Sequence, residues 1–220
     1  MADIMDKIIF DKQQLQFISE TISCSSFTYK NWGDDSLLDL RCYIRNYYRD
    51  LQQGECAFCK NDLSIVAVGN AHVEHIVPKS IYPKFMFEPK NLCVICADCN
   101  QIKRDQEVTR NIPNTLKKPY VKYPRSSKPF LIVHPHFDVW DDYLVKFNGF
   151  YVGKDDHKDR KGSFTIYACG LNRKLAKFGY EKEIYSDDDL MEAARQLIES
   201  DNLITKLNAL TNLKKIINNE

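Results

Sequence analysis

The sequence predicts an α+β fold in which helices flank a small ββα core. Three observations carry this. Two Cys-x2-Cys pairs bracket a short apolar stretch in the middle of the chain. An Asn-Gly pair at 148–149 separates two strand-like runs. Apolar residues recur at helical spacing before the cysteines and again in the last third. With 44% apolar residues among 220, the chain can bury a core. No stretch approaches 18 uninterrupted apolar residues, so no transmembrane helix is expected. The start, MADIMDKIIFDKQQ, lacks the apolar region of a signal peptide. The expected location is therefore cytoplasmic, where thiols stay reduced and eight cysteines do not mean four disulfides.

In chain order, residues 1–54 form an N-terminal helical segment. Its first clear helix is expected over Ser36 to about Gln53, where Leu37, Leu40, Ile44, Tyr47, Tyr48 and Leu51 share one face. Asp34 to Ser36 can cap its start and Gly54 stops it. Residues 55–110 form the cysteine-rich core. Residues 111–130 contain Pro113, Pro119, Pro124 and Pro129, which preclude a continuous helix and predict an extended connector. Residues 131–220 are expected to form a β-hairpin and a helical extension. There LIVHPHFDV reads as extended, DYLVKFNGFYVG as a hairpin, and Phe164–Tyr167 as a further short strand. Helices are expected from Leu171 to about Tyr180, from an N-cap at Ser186 through DDDLMEAARQLIES, and from Leu203 to Ile217.

The net charge is only +1, which argues against tight autonomous binding to nucleic acid, yet the charges are unevenly placed. Residues 71–130 carry eleven Lys/Arg against five Asp/Glu, whereas residues 181–201 carry eight acidic against two basic residues. Such asymmetry points to one face for a polyanion, the alternative being solvated surface. Within the connector, Lys117, Lys118, Lys122, Arg125 and Lys128 occur without an acid, and Tyr120 and Tyr123 are interleaved. The cations can contact phosphates and the rings can stack on exposed bases.

Cys56-x2-Cys59 and Cys96-x2-Cys99 stand 36 residues apart. Each pair can form a knuckle with two thiolates aimed at one ion, and two knuckles complete the closed tetrahedral site of structural zinc. The alternatives are ordinary buried cysteines or a redox pair, but a redox motif needs one pair in a thioredoxin-like context. Cys93-x2-Cys96 is also a C-x2-C, but Cys93 lies in the apolar run Leu92–Ile95 and reads as core. Cys24, Cys42 and Cys169 lack partners at ligand spacing and are expected to be small buried hydrophobes.

Between and after the knuckles lie HVEHIVPKS (72–80) and NLCVICADCNQIK (91–103). Glu74 and His75 set an anionic oxygen beside an imidazole, and Asn100 adds an amide oxygen. Phosphodiester hydrolysis needs a base to activate water and a hard cation at the phosphate. An imidazole suits the base, and carboxylate and amide oxygens suit Mg²⁺ or Mn²⁺.

The pattern C-x2-C…VEHIVPKS…NL…C-x2-CN-x2-K resembles the HNH endonuclease family, whose fold is a ββα-metal finger. By position the resemblance implies His75 as general base, Glu74 and Asn100 as ligands of a catalytic divalent ion, and Asn91 as the asparagine that braces the loop. It also implies Cys56, Cys59, Cys96 and Cys99 as ligands of structural zinc. Two positions depart from the commoner pattern: Glu rather than Asp precedes the base, and Asn rather than His ends the motif. His72, on the same side of a strand as Glu74, could reach the metal or a phosphate or be structural. His134 and His136 lie outside the motif and read as structural.

A second similarity covers FDVWDDYLVKFNGFYVGKD and KGSFTIYACGLNR, chiefly Gly170-Leu171-Asn172-Arg173. These segments resemble the extension of HNH proteins in retron-associated and Septu-type anti-phage systems, the PtuB type. That resemblance implies a DNA-cutting effector restrained or positioned by an ATPase partner. Leu190, Ala194, Leu197 and Ile198, with Leu207, Leu210, Leu213 and Ile217, would then form a docking surface, the alternative being that they cap this chain's own core. A stand-alone McrA-like restriction enzyme and a zinc-finger DNA-binding or interaction subunit without cleavage are the competing functions.

Overall fold

The structure, a computed structural model, describes residues 2–109, 122–147, 149–154, 160–178 and 187–217. The connector expected over 111–130 is therefore described only from Lys122, and Lys117, Lys118, Tyr120, Asn148 and Ser186 lie outside the described residues. The architecture is mixed, with helices around two small two-stranded sheets. Two compact units are present: residues 1–145 with 152–171, and residues 146–151 with 172–220.

The first unit opens with an extended segment that buries Ile4, Ile8 and Phe10. It continues into helix α1 (Lys12–Ser23), which hydrophobic periodicity does not predict. Its apolar stripe is thin, with Ile18 alone buried, but its start is well specified. Asp11 Oδ1 accepts from the Gln14 N–H (2.8 Å), and Gln14 Oε1 accepts from the Asp11 N–H (3.0 Å), a reciprocal capping box. A short 3-10 turn, Tyr29–Gly33, leads to helix α2 (Leu38–Leu51), close to the predicted helix. Leu40, Ile44 and Tyr48 form its buried face at four-residue spacing. Gly54, at φ 74°, turns the chain out of it.

Strand β1 (His72–His75) pairs antiparallel with β2 (Leu92–Ile95), with Glu74 opposite Cys93 and His75 opposite Leu92. The outer edge of β2 is closed by α2 rather than by another strand. The Val94 N–H donates to Gln52 Oε1 (2.8 Å), and Gln52 Nε2 donates to the Val94 carbonyl (2.7 Å). A side-chain amide thus pairs with both backbone groups of Val94, whose carbonyl also accepts from the Ala57 N–H (3.1 Å). Helix α3 (Ala97–Lys103) follows β2 directly.

The segment expected to be extended over 131–139 instead turns at His134, whose carbonyl accepts from the N–H groups of Phe137 (2.9 Å) and Asp138 (2.8 Å). A single turn, α4 (Trp140–Tyr143), then leads into a hairpin of β3 (Leu144–Phe147) and β4 (Phe150–Gly153), with Gly149 at φ 76°. The strand expected at Phe164–Tyr167 is wrong: these residues lie within helix α5 (Lys161–Cys169). Aromatic and β-branched residues favour a strand locally, but tertiary bonds override them. Thr165 Oγ1 donates to the Lys161 carbonyl (2.7 Å) and accepts from the Val133 N–H (2.8 Å). Gly170 ends α5 in the left-handed region (φ 53°), and a Cβ there would lie 3.1 Å from Ile102 on α3. This close approach seats α5 against the helix that carries Cys99, Asn100 and Lys103.

In the second unit, Asn172 clamps Tyr151 in both directions: Oδ1 accepts from its N–H (2.7 Å) and Nδ2 donates to its carbonyl (2.9 Å). Helix α6 (Arg173–Phe178) begins two residues later than expected, and its expected end near Tyr180 lies outside the described residues. Helices α7 (Asp187–Glu199) and α8 (Leu203–Ile217) pack on each other and bury Ala193 and Ala209. Ile198, Leu207 and Leu210 of the expected docking face are exposed. No helix among the described residues is long and apolar enough to cross a membrane.

Candidate metal and catalytic centre

Cys56, Cys59, Cys96 and Cys99 are all buried, and their sulfurs lie within 4.8 Å of one another. The Cys59 and Cys96 sulfurs are 3.8 Å apart, and a tetrahedron with metal–sulfur bonds of about 2.3 Å has edges of about 3.8 Å. The donor set therefore fits a single tetrahedral ion such as zinc. Local structure builds it. Cys96 is the N-cap of α3, its sulfur accepting from the Cys99 N–H (3.4 Å). The Cys56 N–H donates to the Asn61 carbonyl (2.9 Å), closing the first knuckle. Hydrogen bonds from the Cys56, Cys59 and Cys99 thiols hold Cys96 far below the usual thiol range, while the same contacts push Cys99 up. Four clustered thiols cannot all ionise unaided, and a cation removes that conflict.

Cys93 is fully buried in β2, outside the cluster, and burial raises its thiol well above the ordinary value. Cys169 is buried as expected, but Cys42 is only partly buried and Cys24 is exposed. The expectation of a buried Cys24 is therefore corrected: it sits just beyond the end of α1, where its sulfur contacts Ser26 Oγ (3.1 Å).

Glu74 and His75 end β1 side by side, 6% and 3% exposed. Glu74 Oε1 accepts from Lys103 Nζ of α3 (2.5 Å), a pair in which the ammonium has no exposure. The other oxygen of Glu74 has no hydrogen-bond partner among the described residues, and neither has the side-chain amide of Asn100, one turn before Lys103. Carboxylate and amide oxygens are of the type that oxygen-preferring divalent ions take.

His75 Nε2 lies 3.0 Å from the Met86 carbonyl. A carbonyl can only accept, so Nε2 carries the proton and Nδ1 holds the lone pair in the neutral ring. Burial, then the charges of Lys79 and Lys103, hold the imidazole well below its ordinary value and keep it neutral. Trp32, from the Tyr29–Gly33 turn, stands edge-on to His75 with ring centres 4.5 Å apart. Arg41 fixes that turn through the Trp32 and Asp34 carbonyls.

Asn91 is fully buried and stitches the loop that carries Met86. Its Oδ1 accepts from the Val77 N–H (2.7 Å), and its Nδ2 donates to the carbonyls of Val77 (3.1 Å) and Phe85 (2.9 Å). Two neighbours of the site are not foreseen from the sequence. Lys79, partly buried, feels the carboxylate of Glu74, and burial lowers its own proton affinity. Trp32 lies 43 positions from His75, beyond the reach of any motif spacing.

His72 is partly buried and contacts the Gly69 carbonyl (3.1 Å). His134 and His136 are buried structural groups, the first bonded to Tyr123 Oη (2.8 Å) and the second to the Leu92 carbonyl (2.8 Å). Tyr123 is thereby removed from any stacking role: its ring is 8% exposed and packs edge-on against Phe85.

No protein-family model and no solved structure matches this chain. It is 23% identical over 175 residues to the Septu protein PtuB of Bacillus thuringiensis, an alignment covering 80% of this chain. The chain spans 58% of the length of PtuB, so the likeness is to part of that protein.

Proposed function

We propose that the chain is an HNH endonuclease, the DNA-cutting effector of an anti-phage defence complex in which an ATPase is the partner. The observation that carries the reading is the setting of His75. It is a neutral imidazole whose Nε2 proton is committed to Met86, leaving Nδ1 as an acceptor, and the residue before it, Glu74, keeps one oxygen without a partner among the described residues. The order β1, β2, α3 supports it, because it brings Glu74, His75, Asn91 and Asn100 onto one small scaffold beside the four cysteines. The likeness to PtuB, extending well past the motif residues, supports the defence assignment.

In this reading His75 takes a proton from the attacking water at Nδ1. Glu74 and Asn100 hold a Mg²⁺ or Mn²⁺ ion, which when bound supplies positive charge to the scissile phosphate and the leaving oxygen. Asn91 fixes the loop that orients the imidazole, and Lys103 balances the Glu74 charge. The four cysteines hold zinc and tie the first knuckle to the start of α3.

A second reading has a specific observation in its favour. His75 is 3% exposed beneath Trp32, and Glu74 is already paired with Lys103, which suits a DNA- or partner-binding module that does not cut. The chain, purified with the product of the neighbouring gene, is incubated with plasmid DNA and Mg²⁺ or Mn²⁺. The nuclease reading expects nicking or linearisation that His75→Ala abolishes while zinc content and melting temperature are kept. Plasmid binding without cleavage under every metal condition would favour the binding module.

A further inference from the structure

Away from His75, the first unit opens a cleft of about 590 Å³ with Lys7, Lys84, Lys90, Lys122 and Arg125 on its walls and Glu88 as its acid. We propose that this cleft grips the phosphate backbone of a nucleic-acid strand. The cations come from three remote stretches of a chain whose net charge is only +1, so folding has concentrated them here. Like charges gathered at one place repel, and Glu88, the one carboxylate on the walls among the described residues, forms no ion pair with any of the five. Lys84 and Lys90 instead lie over the rings of Phe85 (5.2 Å) and Phe137 (4.7 Å), contacts that position an ammonium without cancelling its charge.

The wall is built rather than incidental. Tyr123 is pinned inward by its bond to His134, and Ser127 Oγ accepts from the buried Lys161 Nζ (2.5 Å). The residues between these anchors, and Lys122 before them, are turned outward, so Lys122 and Arg125 are exposed. Lys7 is exposed beside Ile8, which is buried with its N–H donated to Tyr48 Oη (3.2 Å).

Concavity favours a strand over a flat lipid surface. Cations spread around an open rim, with no buried donor at the base, suit successive phosphates better than one enclosed anion. With Glu88 the one acid lining it among the described residues, the cleft is equipped to hold a backbone and not to read bases.

The proposal deepens the nuclease reading by saying where the substrate is held, and its test contains no cleavage step. Binding of a fluorescein-labelled 30-base-pair duplex, and of one of its strands, is followed by anisotropy without added divalent ion. Full-length wild type is compared with K84E/K122E/R125E, with the milder K84Q/K122Q/R125Q, and with a control carrying K12E/K30E/K174E at exposed sites outside the cleft. The expected result is at least tenfold weaker binding for the cleft reversal at about 100 mM salt. The log–log salt slope should also be smaller by about 2–3, at roughly 0.9 for each phosphate no longer neutralised. The glutamine variant should fall between, and the control should stay within about twofold.

Equal losses in cleft and control variants would overturn the proposal, as would a wild type that binds neither probe. So would a cleft that takes pyrophosphate while its reversal leaves duplex binding intact, which makes it a small-anion site. A protein that binds through the cleft and never cuts would overturn the nuclease reading alone.

Discussion

Replacing Asn91 by alanine is the sharpest test of how the candidate centre is held. The side chain makes three hydrogen bonds to the backbone of the loop it closes, and it is fully buried. Each such bond contributes about 1 kcal/mol net, and the Val77 N–H left without an acceptor costs a further ~1–3 kcal/mol. The expected destabilisation is about 4–6 kcal/mol. For a chain of this size that lowers the melting temperature by about 8–24 °C, at about 2–4 °C per kcal/mol. Because Phe85 is held by Asn91 and Met86 holds His75, cleavage should fall even at temperatures where the variant is folded. Asn91→Asp is the control. It keeps the acceptor for Val77 but turns a second oxygen toward the Val77 and Phe85 carbonyls, and it should be no more stable than the alanine variant. Urea denaturation, with metal content checked, gives both free energies. An alanine variant within about 1 kcal/mol of wild type, or an aspartate variant as stable as wild type, would mean that Asn91 does not brace the loop.

Three further outcomes follow from the geometry. Elemental analysis should find about one zinc per chain; Cys96→Ser should release it, whereas Cys93→Ser, altering a thiol outside the cluster, should retain it. Burial holds His134 well below its ordinary value and lowers His136 to about 4, so the unfolded chain binds more protons below pH ~6.5. Stability is then full above that pH and falls as pH drops, by up to about 1.4 kcal/mol per pH unit for each ring. Urea midpoints between pH 7 and 5 that do not decline, or that decline equally in His136→Gln, would contradict this. Gly170→Ala should destabilise by about 1–2 kcal/mol, because it places a side chain at φ 53° and 3.1 Å from Ile102. An unchanged melting temperature would show that α5 and α3 can part at no cost.

Periodicity and spacing make legible the parts of the fold that rest on local chemistry. Helix α2, helix α8, the hairpin at Gly149 and the four-cysteine cluster each carry a pattern within a few residues or a repeated knuckle. Helix α1 escapes periodicity because its apolar face is nearly absent, although the Asp11/Gln14 capping box is there to be found. Helix α5 looks like a strand because its stabilising contacts lie far along the chain: Thr165 bonds to Val133, and Lys161 pairs with Asp138, both buried. At the candidate site, Glu74 and His75 are visible as neighbours, but Lys103 as the partner of Glu74 and Trp32 as the cover of His75 are not. Those pairings are made by the fold across 29 and 43 positions, and sequence distance carries no trace of them.

The chain has two tryptophans, and the fold places one at each centre. Trp32 meets the ring of His75 edge-on, while Trp140 is buried with its indole N–H donated to the Phe58 carbonyl (2.8 Å), inside the first cysteine knuckle. Intrinsic emission is thus a two-channel optical readout needing no label. In Trp140→Phe the remaining fluorophore reports on the imidazole, so displacement of the Tyr29–Gly33 turn by nucleic acid should change its intensity. In Trp32→Phe the remaining fluorophore reports on the knuckle, and removing the metal with a chelator should shift its emission to the red as the indole meets water.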